Sequence, residues 1–226
     1  MPGAPGILRA PYKVPGTTPN STLIDLGNSC FLAYSPGPGL EQSLSDILPA
    51  DYKIMLLAPC LGHNLGLKAW MEANSSAELF APEGLHERLR KKQDLQQIQN
   101  LQALETILPD AVKLHVLPEN RFQEVWVSIT RGETTYWLMG DAVLNFDTVE
   151  GNFIFKFLLG VYGIKPGLRL HKMFLRGLKD KQAFKVWALP LFDNQQNHIL
   201  LPCHREDYLS PDCGQRMVQL LNELKN

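Results

Sequence analysis

The stretch YKIMLLAPCLGHNLGLKAW, residues 52–70, decides the fold of this chain. Residues 52–59 form a continuous apolar run, which is typical of a strand that is buried on both faces. Residues 65–74 carry apolar side chains at spacings consistent with a short helix. The strand therefore delivers one histidine, His63, to the loop that precedes this helix. In layered α/β folds, ligands bind and catalysis takes place at such strand ends.

Two further polar residues follow apolar strands in the same way. Asp141 comes after the predicted strand at 134–140, and His204 comes after the predicted strand at 198–203. Two histidines and one aspartate are ordinary ligands for zinc or iron. Strands that pack side by side can bring together residues this far apart in sequence. We therefore single out His63, Asp141 and His204 as candidate metal ligands.

The remaining segments predict strands and helices in a mixed order, with hairpins among them. Strands are predicted at 22–36 (two, with a turn at Gly27-Asn28), 77–83, 112–118, 124–130, 134–141 and 198–204; helices or helical spacing are predicted at 40–48, 65–74, 84–108, 152–163, 179–193 and 210–226, the last with Ser210 as N-cap. This order favours α/β layers with mixed sheets. We expect one domain over 22–226, preceded by an irregular Pro/Gly-rich arm at 1–21.

Composition excludes several classes of protein. The chain has 226 residues and a net charge of −1, so its overall charge gives no reason to expect a nucleic-acid or membrane partner. No cysteine pair has C-x-x-C spacing, which predicts free thiols in a reducing compartment. The arm has no apolar core of a signal peptide, and no apolar run reaches the length of a membrane span. We expect a cytoplasmic protein.

Three segments in this order, His63 after its strand, LMGDAVLNF (138–146) and ILLPCHRED (199–207), resemble the metallo-β-lactamase superfamily. More narrowly, FLAYSPGP, LLAPCLGHNLGLKAW, AELFAPEGL and LLPCHRED resemble a divergent bacterial branch of that superfamily. The resemblance runs from about residue 22 to residue 207. It implies a four-layer αββα sandwich with two mixed sheets, and metal ions in loops at one edge.

The metal motif of the superfamily is degenerate in this chain. When His63 is taken as the last histidine of H-x-H-x-D-H, the other positions fall on Ala58, Cys60 and Gly62. The histidine of the third motif falls near PENRFQE (118–124), which contains none. The resemblance therefore implies loss of the first metal position and of two-metal catalysis.

The retained residues leave two functions open. In the first, His63, Asp141 and His204 hold one zinc, iron or manganese ion, with Cys60 as a candidate extra ligand, and the protein hydrolyses an ester, amide or phosphoester of a small molecule. In the second, the chain is a metal-free pseudoenzyme that binds a ligand or protein partner. A redox role with non-haem iron is a third and weaker hypothesis. The fold cannot choose among them.

Each candidate also has a purely structural interpretation. His63 would cap the following helix or hydrogen-bond a loop, Asp141 would close a turn, and His204 would be a structural histidine. Cys60 and Cys203 would be small buried side chains. We take the other histidines, His86, His115, His171 and His198, as structural or solvent-exposed.

Residues 151–189 contain eight lysines or arginines against a single acid, Asp180, with aromatic residues among them. Such a segment forms either a basic apolar surface for an anionic partner, or helices whose apolar faces point inward while the lysines lie in water. We favour the second interpretation.

Overall fold

The structure is a computed structural model that describes residues 6–15, 17–44, 47–49, 51–146, 166–192, 196–204 and 206–225. The chain divides into two compact units, residues 1–114 and 115–226. The predicted helix at 152–163 lies outside the described residues, and so does the first part of the basic segment. All four cysteines are free thiols, as predicted.

The first unit contains a mixed six-stranded sheet in the order β1-β2-β3-β4-β5-β6. Its strands are β1 (Ile7–Pro11), β2 (Asn20–Gly27), β3 (Cys30–Tyr34), β4 (Lys53–Leu57), β5 (Glu78–Phe80) and β6 (Ile98–Gln99), and its helices among the described residues are α1 (Leu40–Leu44), α2 (Leu67–Ala73), α3 (Glu83–Gln93) and α4 (Leu101–Glu105). Strands β1 to β3 pair antiparallel, whereas β3 to β6 pair parallel.

The predicted hairpin at 22–36 is confirmed as β2 and β3. Asn28 and Ser29 link the two strands with φ values of 52° and 56°. Positive φ at both central residues is what a two-residue type I′ turn requires, and this turn matches the twist of the flanking strands.

Strand β4 is buried on both faces, as its continuous apolar sequence predicts. Ile54, Met55, Leu56 and Leu57 are all buried. Parallel neighbours β3 and β5 lie on its two sides. Burial on both faces explains why this strand shows no alternation of polar and apolar residues.

Two segments of the first unit differ from the sequence-based expectation. The helical spacing at 84–108 is divided into α3, β6 and α4, because Asp94 adopts a left-handed conformation (φ 57°) that ends α3. Asn100 then caps α4 by accepting a hydrogen bond from the Ala103 amide. Residues 7–11, within the predicted irregular arm, form β1, whose backbone pairs with β2.

The second unit contains a sheet in the order β12-β9-β8-β7 and a two-stranded antiparallel sheet of β10 and β11. Its strands are β7 (Val112–Val116, in which the boundary of the units falls), β8 (Val125–Arg131), β9 (Thr134–Met139), β10 (Val143–Phe146), β11 (Gly167–Leu170) and β12 (Asn197–Pro202), and its described helices are α5 (Lys172–Gly177), α6 (Lys181–Phe192) and α7 (Cys213–Asn222). The predicted strands at 124–130 and 134–141 correspond to β8 and β9, which form a hairpin around Gly132 (φ 58°).

Strands β9 and β12 pair in parallel although about sixty residues separate them. Their register runs from Thr134 opposite Asn197 to Met139 opposite Pro202. The Cys203 amide then donates a hydrogen bond of 2.7 Å to the Met139 carbonyl. The carboxyl ends of both strands therefore coincide at one edge of the sheet.

The described part of the basic segment 151–189 follows the favoured interpretation. Phe174 and Phe184 are completely buried in the core of the second unit, whereas Lys172 and Arg176 are exposed. The aromatic side chains in this part of the segment thus belong to the core.

The terminal helix begins later than the sequence predicts. Helix α7 has Asp212 as its N-cap, with no side-chain cap, so the prediction of Ser210 as N-cap is wrong. The Ser210 carbonyl instead accepts a hydrogen bond from the Cys213 amide, which adds a turn before the helix. Met217 and Leu221 of this helix are buried.

His198 on β12 is a buried structural histidine. Its Nδ1 accepts a hydrogen bond of 3.0 Å from the Trp137 indole, so the proton of the neutral ring lies on Nε2. Burial lowers the pKa of this imidazole from its ordinary value.

We expect His198 to make the protein less stable in mild acid. Because its folded-state pKa lies below the unfolded value of about 6.5, the unfolded state binds more protons, and stability falls as pH drops through this value. Urea unfolding between about pH 7.5 and about pH 5 should show a smaller loss of stability for His198→Asn, whose amide oxygen can accept from Trp137 without titrating. An equal loss in both proteins would contradict this assignment.

Candidate functional site

His63 lies in the first unit, in the loop after β4, and is almost completely buried. Its Nδ1 lies 3.1 Å from the Ser35 hydroxyl and 3.4 Å from the Tyr12 hydroxyl. The two hydroxyls are 3.3 Å apart. His63 does not cap the following helix, because Gly66 is the N-cap residue of α2 and has no side-chain cap. The imidazole is thus oriented by hydroxyl groups.

The loop that carries His63 is held from both ends. The Ala58 amide donates to the Phe80 carbonyl, and the Gly66 amide donates to the Pro36 carbonyl, each at 3.0 Å. A Cβ atom on Gly66 would lie 2.5 Å from the Gly37 carbonyl carbon, so only glycine fits this close approach. The position of His63 is therefore set by backbone contacts on both sides.

Cys60, the candidate extra ligand, is completely buried three residues before His63. Cys203 is buried to a similar degree in the second unit. Both fit the interpretation as small core side chains. A ligand role for Cys60 remains a prediction.

The second unit brings together the other two candidate ligands. Asp141 follows β9 and His204 follows β12, at the shared edge created by the parallel pairing. The His204 Nε2 lies 3.0 Å from the Asp141 Oδ1, and about four-fifths of each side chain is buried. The prediction that strand ends would gather these residues therefore holds for this pair.

Glu124 holds the backbone beside Asp141, and the sequence analysis did not single it out. Its side chain is completely buried. Oε1 accepts from the Gly140 amide at 3.1 Å, Oε2 accepts from the Asp141 amide at 2.9 Å, and both oxygens lie within 3.2 Å of the Ala142 amide. The Trp126 indole also donates to Oε1, at 2.8 Å.

His171 contacts the carbonyl groups of the same loop, whereas Glu124 contacts its amides. Its Nδ1 lies 3.2 Å from the Asp141 carbonyl, and its amide donates to the Ala142 carbonyl at 2.9 Å. Burial lowers the pKa of His171 overall, although the negative charge of Asp141 opposes this shift. A neutral ring with its proton on Nδ1 can donate to the Asp141 carbonyl. The three amides of the loop at 140–142 and the carbonyls of Asp141 and Ala142 thus have hydrogen-bond partners.

No local sequence pattern identifies Glu124 or His171 in this role. Glu124 stands alone before β8 in a polar turn, where most acids are solvated. His171 follows a short strand that the sequence did not predict. Their importance depends on contacts with residues 140–142, which lie 16 to 18 positions from Glu124 and about 30 positions from His171.

Comparisons with solved structures identify the fold. No protein-family model matches the chain, and no curated protein matches its sequence. The structure is similar to DIM-1 metallo-β-lactamase (TM-score 0.60, 12% identity, 97% of this chain and 94% of that chain). It is also similar to a metallo-β-lactamase from Pontibacter korlensis (TM-score 0.60, 9% identity, 99% of this chain and 98% of that chain). A third similar structure is the fragment 1–254 of a putative diflavin flavoprotein from Nostoc sp. PCC 7120 (TM-score 0.61, 13% identity, 98% of this chain and 94% of that chain).

The chain therefore has the metallo-β-lactamase fold, as the sequence resemblance implied. The mixed sheets and helices described above agree with this α/β class. At these identities the similarity extends to the fold alone. Among the described residues, no helix has the length and apolar character that crossing a membrane requires.

We expect Glu124→Gln to destabilise the protein by about 1–3 kcal/mol, because the new amide group would face backbone N–H donors. Glu133→Gln, at an exposed turn position, is the matched control and should change stability by less than about 0.5 kcal/mol. Urea unfolding gives both values. NMR shifts of the amides at 140–142 should move only in the Glu124 variant, and an unchanged loop would contradict the role assigned to Glu124.

Proposed function

We propose that this protein is a metal-dependent hydrolase in which Asp141, His204 and His63 hold a single ion. The observation that carries the proposal is the contact between Asp141 and His204 at the shared end of two parallel strands. The first unit would supply His63, as the sequence resemblance implies. Cys60 is the candidate for an additional ligand.

The donor groups suit a zinc, iron or manganese ion. Carboxylate and imidazole ligands are common to all three, and catalytic zinc sites characteristically use three protein ligands and keep a position open. Histidine ligands usually hydrogen-bond a second group through their other ring nitrogen. The Ser35 and Tyr12 hydroxyls beside Nδ1 of His63 fit that requirement.

When bound, such an ion would lower the pKa of water and supply a nucleophile at neutral pH. Residues around the proposed metal ligands hold the backbone of Asp141 in position. Glu124 fixes the amide of Asp141, and His171 fixes its carbonyl, so the carboxylate starts from a defined backbone position. The proposed substrates are esters, amides or phosphoesters, in which water attacks an electrophilic carbon or phosphorus.

A second candidate function is a metal-free binding module. Ala58, Cys60 and Gly62 stand where the superfamily motif has metal ligands. At the end of the segment that lacks the third-motif histidine, Glu124 is engaged with backbone amides and an indole. These features favour a protein that has kept the fold but has lost the metal ligands and the hydrolytic activity.

Metal analysis distinguishes the two functions. We expect the untagged protein to contain about one equivalent of zinc, iron or manganese, because three ligands of this type suffice for one ion. His204→Ala and His63→Ala should each lose most of it, as measured by elemental analysis after gel filtration.

The matched control is His86→Ala, which removes a histidine of the first unit whose ring forms a hydrogen bond with the Ala81 carbonyl. It should keep the metal. Loss in His204→Ala but not in His63→Ala would remove His63 from the ligand set. No bound metal even after incubation with excess ions would overturn the hydrolase proposal and leave the binding module.

A further inference from the structure

A groove of about 710 Å³ lies in the first unit, between the loop at 61–65 and helix α3. One wall is lined by residues 61–62, 64–65 and 68, and the other wall is lined by residues 88–89 and 91–94. The volume lies in the range of pockets that bind small molecules, about 300–1,000 Å³. None of the proposed metal ligands lines it.

The groove is lined by four cationic side chains, which are Lys68, Arg88, Lys91 and Lys92, and by a single acid, Asp94. The chain as a whole carries a net charge of −1. The positive charge is therefore concentrated locally. A cleft with one sign of charge raises the local concentration of oppositely charged ligands.

Only two of these cations have ion pairs among the described residues. Lys68 lies 4.0 Å from Glu72, and Lys91 contacts Glu87; both pairs are exposed, and such pairs contribute little. Arg88 and Lys92 have no ion pair or side-chain hydrogen bond with any residue that the structure describes. Their charges are thus available to a ligand.

Helix stabilisation explains only part of this arrangement. Cations in the last turn of a helix interact favourably with its dipole, and α3 has Arg90, Lys91 and Lys92 there. This does not account for Arg88, which lies earlier in α3, or for Lys68, which comes from α2. Two separate elements therefore supply cations to one groove.

We propose that this groove binds the phosphate group of a small molecule, with Arg88 and Lys92 as the principal contacts. The planar guanidinium matches the oxygens of a phosphate in a paired geometry, and a lysine adds a compact positive charge. Gln93 donates to the side-chain oxygen and the carbonyl of Asn64, both at 2.9 Å, which ties the two walls together. This proposal does not depend on the metal site.

The test is a titration of the purified full chain with inorganic phosphate at constant ionic strength, followed by heteronuclear NMR. We expect saturable shifts of amides at 61–65 and 88–94. The double variant Arg88→Gln, Lys92→Gln should weaken phosphate binding at least about fivefold, since it removes two charge-assisted contacts.

The control double variant, Arg131→Gln with Lys13→Gln, makes the same change in net charge outside the groove. It should weaken binding less than about twofold, because neither residue lines the groove and neither can make a charge-assisted contact with a phosphate bound there. Equal weakening in both variants would show that phosphate responds to overall charge and would overturn the proposal. Shifts that are spread over the surface and do not saturate would overturn it as well.

Discussion

The hydrogen bonds of the buried Glu124 carboxylate hold in place the polar edge of the second unit, which is the edge of the sheet where Asp141 and His204 lie. A carboxylate removed from water is strongly destabilising unless hydrogen bonds replace its hydration. Here three successive backbone amides and the Trp126 indole donate to it. Trp126 is completely buried among Trp137, Phe184, Trp187 and Phe192. The aromatic core therefore positions the acid, and the acid positions the loop that bears Asp141.

The sequence predicts what depends on local backbone and on burial. The turn after β2 could be recognised from Gly27-Asn28, because few residue types tolerate positive φ. The structure places its two central residues one position later, at Asn28 and Ser29. The apolar run of β4 could be recognised because burial on both faces removes every polar position. The strand ends then identify Asp141 and His204 as neighbours, since an apolar strand followed by a polar residue marks the edge of a sheet.

The sequence does not predict features that depend on distant partners, or a break that depends on the conformation of a single residue. Strand β1 arises because β2 offers an edge for backbone pairing, and this requires no side-chain pattern in residues 7–11. The break after α3 depends on a single left-handed residue, Asp94, within a sequence of good helix formers. Glu124 and His171 could not be assigned to the loop at 140–142 before the packing of the second unit was known, because neither has a short-range signature.

The parallel pairing of β9 with β12 also determines when the polar edge can form during synthesis. Asp141 is made long before His204, and a nascent chain that ends between Asp141 and β12 contains the acid without its partner. Parallel strands separated by this much chain close a long loop, which slows folding relative to local contacts. A ribosome-bound intermediate would therefore hold a complete first unit while the edge of the second is still open. That intermediate exposes the unpaired side of β9, a surface on which chaperones or aggregation could act until β12 arrives.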